Sequence, residues 1–212
     1  MTRRTPAPPP AKRYDAEYFE HWYRRSDVGV GQVEFVERKV RLALAAAEYV
    51  LGRPARSVLD VGCGEGPWRA ILRRLRPGIG YLGFDSSEYA IRRYGRARNL
   101  RLGGLADLES AKLARRYDLV VCADVLHYVS DAEARAGLAV IAPRVAGVAF
   151  LEAFTSADDI VGDHAELQDR SPAAYQRMFA GAGLVPLGLH LYVRRDVQQT
   201  LVALERGTPR AT

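Results

Sequence analysis

The sequence predicts an α/β protein: a mostly parallel sheet with helices on both faces and an antiparallel hairpin at its C-terminal end. Three observations carry this. Runs such as Leu119-Val120-Val121 are continuously apolar, which marks strands covered on both faces and hence a parallel sheet. From Ser57 to Ala153 strand-like runs alternate with helical segments, the rhythm of right-handed βαβ units. After Ser171 the rhythm breaks, and one helix is followed by two strand-like stretches with no helix between them.

Taken in order, residues 1–12 are rich in Pro and Arg with little to bury, and are expected to form a disordered tail. Residues 13–212 are expected to form one domain, with a helical cap over 13–54 and an α/β core over 55–212. Tyr14 to Tyr23 predicts a short aromatic helix. Tyr14, Tyr18 and Trp22, spaced four apart, would share a face. Val33, Val36, Val40, Leu44, Ala47 and Leu51 step by three and four and predict a helix over Gln32–Leu51, stopped by Gly52 and Pro54. Strands are expected at Ser57–Val61, Tyr81–Phe84, Leu100–Leu102, Tyr117–Ala123 and Gly147–Ala153. Helices are expected at Pro67–Leu75, Ser87–Gly95 and Ala132–Ile141, with Pro67 at a first helical position where its missing N–H does no harm. A further helix should run from Ser171-Pro172 to Ala182, capped by Gly183, ahead of strands at Leu184–Val193 and Gln199–Glu205.

Bulk properties narrow the function. The 212 residues are 48% hydrophobic and 26% charged, which fits a soluble globular protein. No apolar run approaches the ~20 residues of a membrane span, and the N-terminal residues lack the apolar segment of a secretory signal. Cys63 and Cys122 form no metal-ligand pattern, and a cytoplasmic location is expected. The net charge is +6, of which Arg3, Arg4, Lys12 and Arg13 supply +4. Arg73-Arg74, Arg92-Arg93 and Arg115-Arg116 sit on separate elements, so a nucleic-acid partner is not expected.

The most informative stretch is Val58-Leu59-Asp60-Val61-Gly62-Cys63-Gly64-Glu65-Gly66, a strand that runs into a glycine-rich turn. Such a turn lets backbone N–H groups approach a ligand. A dinucleotide fingerprint needs glycine at the sixth position of the turn, where this chain has Pro67. The run instead resembles the first motif of the S-adenosylmethionine-dependent methyltransferases of the Rossmann-like class. The terminal hairpin agrees with that class, whose reversed seventh strand inserts beside the sixth, so the resemblance implies a seven-stranded sheet.

Ligands of an open parallel sheet lie beyond the carboxyl ends of its strands, so the residues at those ends are the candidates. The resemblance implies that Gly62, Cys63 and Gly64 approach the cofactor and that Asp60 orients its ammonium. It implies further that Asp85, with Ser86 beside it, accepts from the ribose hydroxyls. Asp107 would accept from the adenine amino group, with Leu108 against the ring. Ala123 and Asp124 would pass beside the sulfonium, whose positive charge a carboxylate favours. His127, in Asp124-Val125-Leu126-His127-Tyr128-Val129, is the candidate base if the acceptor must lose a proton, and is otherwise structural. Glu152, Asp163 and His164 follow the fifth strand within reach of an acceptor. Asp124 with Asp158 or Asp159 does not match the pattern of magnesium-dependent catechol-type enzymes, so no metal is expected. The implied reaction is in-line methyl transfer to a small molecule. The alternatives are a nucleic-acid or protein methyltransferase, or a cofactor-binding module without turnover. The chain has Ala123-Asp124-Val125-Leu126 where enzymes acting on base amines carry an Asn/Asp-Pro-Pro-aromatic run.

Overall fold

A computed structural model describes residues 12–24, 33–160 and 163–201. Seven strands form one sheet: β1 (Ser57–Val61), β2 (Gly80–Asp85), β3 (Leu100–Leu102), β4 (Tyr117–Ala123), β5 (Val145–Glu152), β6 (Leu184–Gly188) and β7 (Leu191–Arg194). Their order is β3-β2-β1-β4-β5-β7-β6. The first five pair in parallel, and β7 lies antiparallel between β5 and β6. The helices are α1 (Ala16–Phe19), α2 (Val33–Leu51), α3 (Pro67–Leu75), α4 (Glu88–Arg98), α5 (Asp131–Ile141), α6 (Pro172–Gly181) and α7 (Arg195–Gln198). None among the described residues is long and apolar enough to cross a membrane.

The period-two alternation of the strands sorts their side chains into two cores. On β4, Leu119 and Val121 join Val40, Leu44 and Ala47 of α2 and Trp68, Ile71 and Leu72 of α3. Val120 and Cys122 face the other way, to Leu138 and Ile141 of α5 and Met178 and Phe179 of α6. Each such apolar side chain contributes ~1.5–3 kcal/mol on burial. Covering both faces is what required β4 to be apolar from Leu119 to Ala123.

The C-terminal expectation needs correction. The stretch 184–193, expected to be one strand, is itself the hairpin, turning at Leu189 and His190 with φ of 51° and 64°. Two left-handed central residues are what a tight two-residue hairpin turn demands, and they match the twist of the flanking strands. The second expected strand, Gln199–Glu205, does not form at its start. Gln199 follows helix α7, and residues 202–205 lie outside the described residues. Pro186 lies in β6, at one edge of the sheet, and β3 forms the other edge.

The N-terminal segment also differs from expectation. Residues 1–11 of the expected tail lie outside the described residues, but Lys12 is packed, its side chain 6% exposed. After α1, residues Glu20–Arg24 form a π-helical turn. A π-turn brings residues five apart together rather than four. Tyr18 therefore meets Tyr23, ring centroids 6.3 Å apart, while Trp22 stacks edge-on against His21.

Candidate active site

The site is built where β1, β2 and β4 end together. β1 runs into a turn whose Gly62, Gly64 and Gly66 have φ of 73°, 53° and 79°, conformations L side chains avoid. The turn is tied down by its own backbone. The N–H groups of Gly62 and Cys63 donate to Phe84 O at 2.8 and 3.0 Å, and that of Gly66 donates to Cys63 O at 2.8 Å. Space matters as much as conformation, because a Cβ on Gly62 would lie 2.0 Å from Val125 Cγ2. Cys63 Sγ packs against Gly83 of β2, where an added Cβ would stand 2.6 Å from the sulfur. The Cys63 thiol therefore points into the sheet, and this residue offers the cleft main chain rather than a reactive side chain.

Two adjoining cavities open over this turn and share Phe19, Tyr23, Gly62, Gly64 and Asp124 in their walls. The larger, about 420 Å³, is lined by Tyr14, Tyr18, Asp85, Ser86, Ala106 and Asp107 among others. The smaller, about 200 Å³, is lined by Lys39, Asp60, Trp68, Arg98 and Ala123 among others. A drug-sized ligand needs a cleft of ~300–1,000 Å³, a size the larger cavity meets by itself and the smaller one extends.

Acids dominate it. Asp85 is buried, accepting from Gly64 N at 2.6 Å through one oxygen and from Ser87 N at 2.8 Å through the other. Burial raises its pKa against those bonds. The cap of α4 is Ser87, whose hydroxyl accepts from Ala90 N, so Asp85 is not needed for that task. Asp60 is fully enclosed, and burial pushes its pKa up to about 7 although the Tyr81 hydroxyl donates to it at 2.5 Å. Asp124, with φ of 60°, closes β4; burial raises its pKa, Glu152 adds to the rise, and Lys39 opposes it. Lys39 Nζ lies 2.5 Å from Glu152 Oε2 and 3.7 Å from Asp124 Oδ2. His190 Nε2 is 3.9 Å from the other oxygen of Glu152.

Of the residues singled out in the sequence, Asp60, Gly62, Cys63, Gly64, Asp85, Ser86, Asp107, Ala123 and Asp124 line this one cleft. Asp107 accepts from Gly104 N at 2.8 Å, which holds the loop after β3 in place. Leu108 is corrected: it is fully buried among the residues of the α5 core, and Leu105 and Ala106 line the cavity instead. The short 3₁₀ turn over Leu105–Asp107 produces that rotation.

For His127 the surroundings favour the structural alternative over the base. It is 1% exposed and lines a separate cavity of about 140 Å³ with Phe154, Ser156 and Leu167. Its Nδ1 accepts from Phe154 N at 3.2 Å, so the lone pair a base would use is engaged. Burial, with Lys12 and Arg170 nearby, lowers its pKa to about 4. His164 is exposed, and Asp158 accepts from Thr155 through both the backbone N–H and the hydroxyl. Lys39, Phe19 and Tyr23 were not singled out from the sequence. Their role depends on how the N-terminal helices cross the sheet, which periodicity does not encode.

A family profile for a methyltransferase domain matches residues 32–196. An uncharacterized protein of Synechococcus sp. is 30% identical over 115 residues, which make up 51% of this chain and 27% of that protein. The match thus spans little more than a quarter of that relative. Among solved structures, a SAM-dependent methyltransferase from Archaeoglobus fulgidus is 17% identical, with a TM-score of 0.60 over 81% of this chain and 75% of that one. A magnesium protoporphyrin IX methyltransferase from Synechocystis, with bound SAH, is 20% identical, with a TM-score of 0.59 over 81% of this chain and 86% of that one. At these identities the two structures speak for a shared fold.

Proposed function

Because this chain belongs to the methyltransferase-domain family, we propose that its paired cavities hold S-adenosylmethionine and a small methyl acceptor side by side. The chain is an S-adenosylmethionine-dependent methyltransferase of the Rossmann-like class. The proposal concerns where the cofactor lies and what it methylates. Adenosine belongs in the larger cavity, with Asp85 accepting from the ribose hydroxyls and Asp107 from the adenine amino group. The methionine end belongs across Gly62 and Gly64, toward Asp60 and Asp124.

The residues present fit such a ligand. Two buried carboxyls, Asp60 and Asp85, and the half-buried Asp124, all with their ionised forms disfavoured, face a cleft in which a cation would relieve them. The observation that carries the reading is Asp85, which stands at the end of β2 and fixes the glycine turn through Gly64 N at 2.6 Å. When bound, the cofactor supplies a methyl group already activated by positive sulfur. The chain's own work is then to orient and to exclude water. Orientation alone can be worth ~7–11 kcal/mol of barrier. Asp60 and Asp124 set a negative field, and Phe19 and Tyr23 close the wall over it. A small acceptor is supported by the enclosure of the cleft beneath Tyr14, Tyr18 and Tyr23, and by a neighbour named for magnesium protoporphyrin IX.

Calorimetry with S-adenosylhomocysteine and with NAD tests the reading. The first should bind and the second should not. Asp85→Ala should weaken S-adenosylhomocysteine at least tenfold, since a charge-assisted hydrogen bond contributes ~1.5–3 kcal/mol and ~1.4 kcal/mol is one decade. Asp85→Asn should do intermediate damage. Full affinity in Asp85→Ala would overturn the placement.

A further inference from the structure

The cleft is crossed by a strap whose fastening has no part in the chemistry described so far. Residues 12–24 run over the larger cavity from one rim to the other. On the β2–α4 rim, Ser87 Oγ donates to Tyr14 O at 2.5 Å. On the opposite rim, the loop between β5 and α6 takes hold of Lys12. Lys12 N donates to Glu166 Oε1 at 3.1 Å, and Lys12 Nζ lies 2.6 Å from Asp163 Oδ2 and 3.4 Å from Ala165 O. The ammonium also sits in an aromatic box, 3.5 Å from the Tyr128 ring centroid, 5.2 Å from that of Tyr14 and 5.5 Å from that of Tyr18. The Tyr128 hydroxyl donates to Asp163 O at 2.9 Å, so box and loop are one unit. Lys12 and Asp163 are only 6% and 13% exposed.

A buried ammonium that meets ring faces and a carboxylate at once is held far more firmly than a surface lysine. Tyr14, Tyr18, Tyr128 and Glu166 all line the larger cavity. A ligand in that cavity lies against the strap, and the one ion pair joining strap to loop is Lys12–Asp163 among the described residues. We infer that Lys12 is a positioning residue for the cofactor: it latches the N-terminal strap to the β5–α6 loop and sets how fast the adenosine moiety escapes. The inference rests on the placement of adenosine proposed above.

Stopped-flow release of S-adenosylhomocysteine from the full chain tests it. Lys12→Met should speed release at least fivefold, with a smaller effect on the association rate. The melting temperature of the ligand-free protein should move by no more than ~2 °C, because the latch contributes no side chain to either of the two cores that flank the sheet. Lys12→Arg keeps charge, reach and ring stacking and should restore the slow release to within twofold. Asp163→Asn should speed release alone, and adding it to Lys12→Met should do little more, since both cut one link. If Lys12→Met lowers the melting temperature strongly, Asp163→Asn decides: slow release in that variant overturns the latch. Parental release rates in Lys12→Met overturn it directly. Asp85→Ala separates the two levels of the argument. If it weakens binding while Lys12→Met changes nothing, the latch alone fails. If neither variant matters, the placement of the cofactor fails as well.

Discussion

Asp60 is a side chain whose charge should depend on what fills the cleft. Its folded pKa, about 7, lies above the ordinary carboxylate value because it is enclosed. A raised carboxyl favours folding while protonated, so this contribution is full below pH ~4 and is lost as pH rises through about 7. Urea melts of the ligand-free protein should show stability falling over that window, and Asp60→Asn should flatten the slope. A bound cation reverses the preference, so ligand binding at pH 6.5 should release protons, chiefly from Asp60 and Asp124. Calorimetry in two buffers of different ionisation enthalpy measures that number, and zero protons released would contradict it. The acids were legible in the sequence because each ends a strand, and strand ends face the ligand in this architecture. The two roles open to His127 could not be told apart in the sequence, because its neighbour Phe154 is 27 residues away and engages Nδ1 only after β4 and β5 pair. Lys39 carried no signal at all. A lysine on an amphipathic helix becomes a partner for Glu152 only once α2 lies across β5.

Among the elements, the β1–α3 turn is the least replaceable. Gly62→Ala forces a side chain into a left-handed position and within 2.0 Å of Val125 Cγ2. The conformational penalty is ~1–2 kcal/mol and overpacking adds ~1–3 kcal/mol. The melting temperature should drop by at least ~5 °C, and Val125→Ala in the same chain should recover part of it, a coupling a thermal scan of the four variants can read. The strands and helices from β1 through α6 were legible because apolar runs and helical periods alternate without ambiguity and proline or glycine marks their ends. The hairpin was misplaced because its turn uses Leu189 and His190, not the Asn-Gly or Asp-Gly pairs that announce such turns. The π-turn after α1 was invisible for a similar reason: one extra residue per turn leaves composition unchanged and brings Tyr23 rather than Trp22 beside Tyr18.

The molecule as a whole separates function from stability along the strand axis. The cleft lies at the carboxyl ends, while at the amino ends Asp118 accepts from Arg53 at 2.8 and 3.0 Å and from Arg56 N at 2.6 Å. Burial opposes ionisation of Asp118, but Arg53 and the backbone bond outweigh it and hold the carboxyl below its usual value. Asp118→Ala should destabilise by about 2 kcal/mol, a loss of ~4–8 °C in melting temperature, with S-adenosylhomocysteine affinity changed less than twofold. A large loss of affinity would show that the two ends are coupled. The flanks of the sheet bear on a different matter, whether copies of the chain stick to one another. An open sheet edge is a template on which a second chain can grow another strand, and the route to fibrous aggregates begins there. Here one flank is β3, three residues long with Arg101 exposed, and the other is β6, where Pro186 cannot donate to a newcomer. Both ends of the sheet thus refuse recruits by means that leave the cleft untouched. Replacing Arg101 and Pro186 together with valine should leave S-adenosylhomocysteine binding intact while light scattering on prolonged incubation rises well above that of the parent.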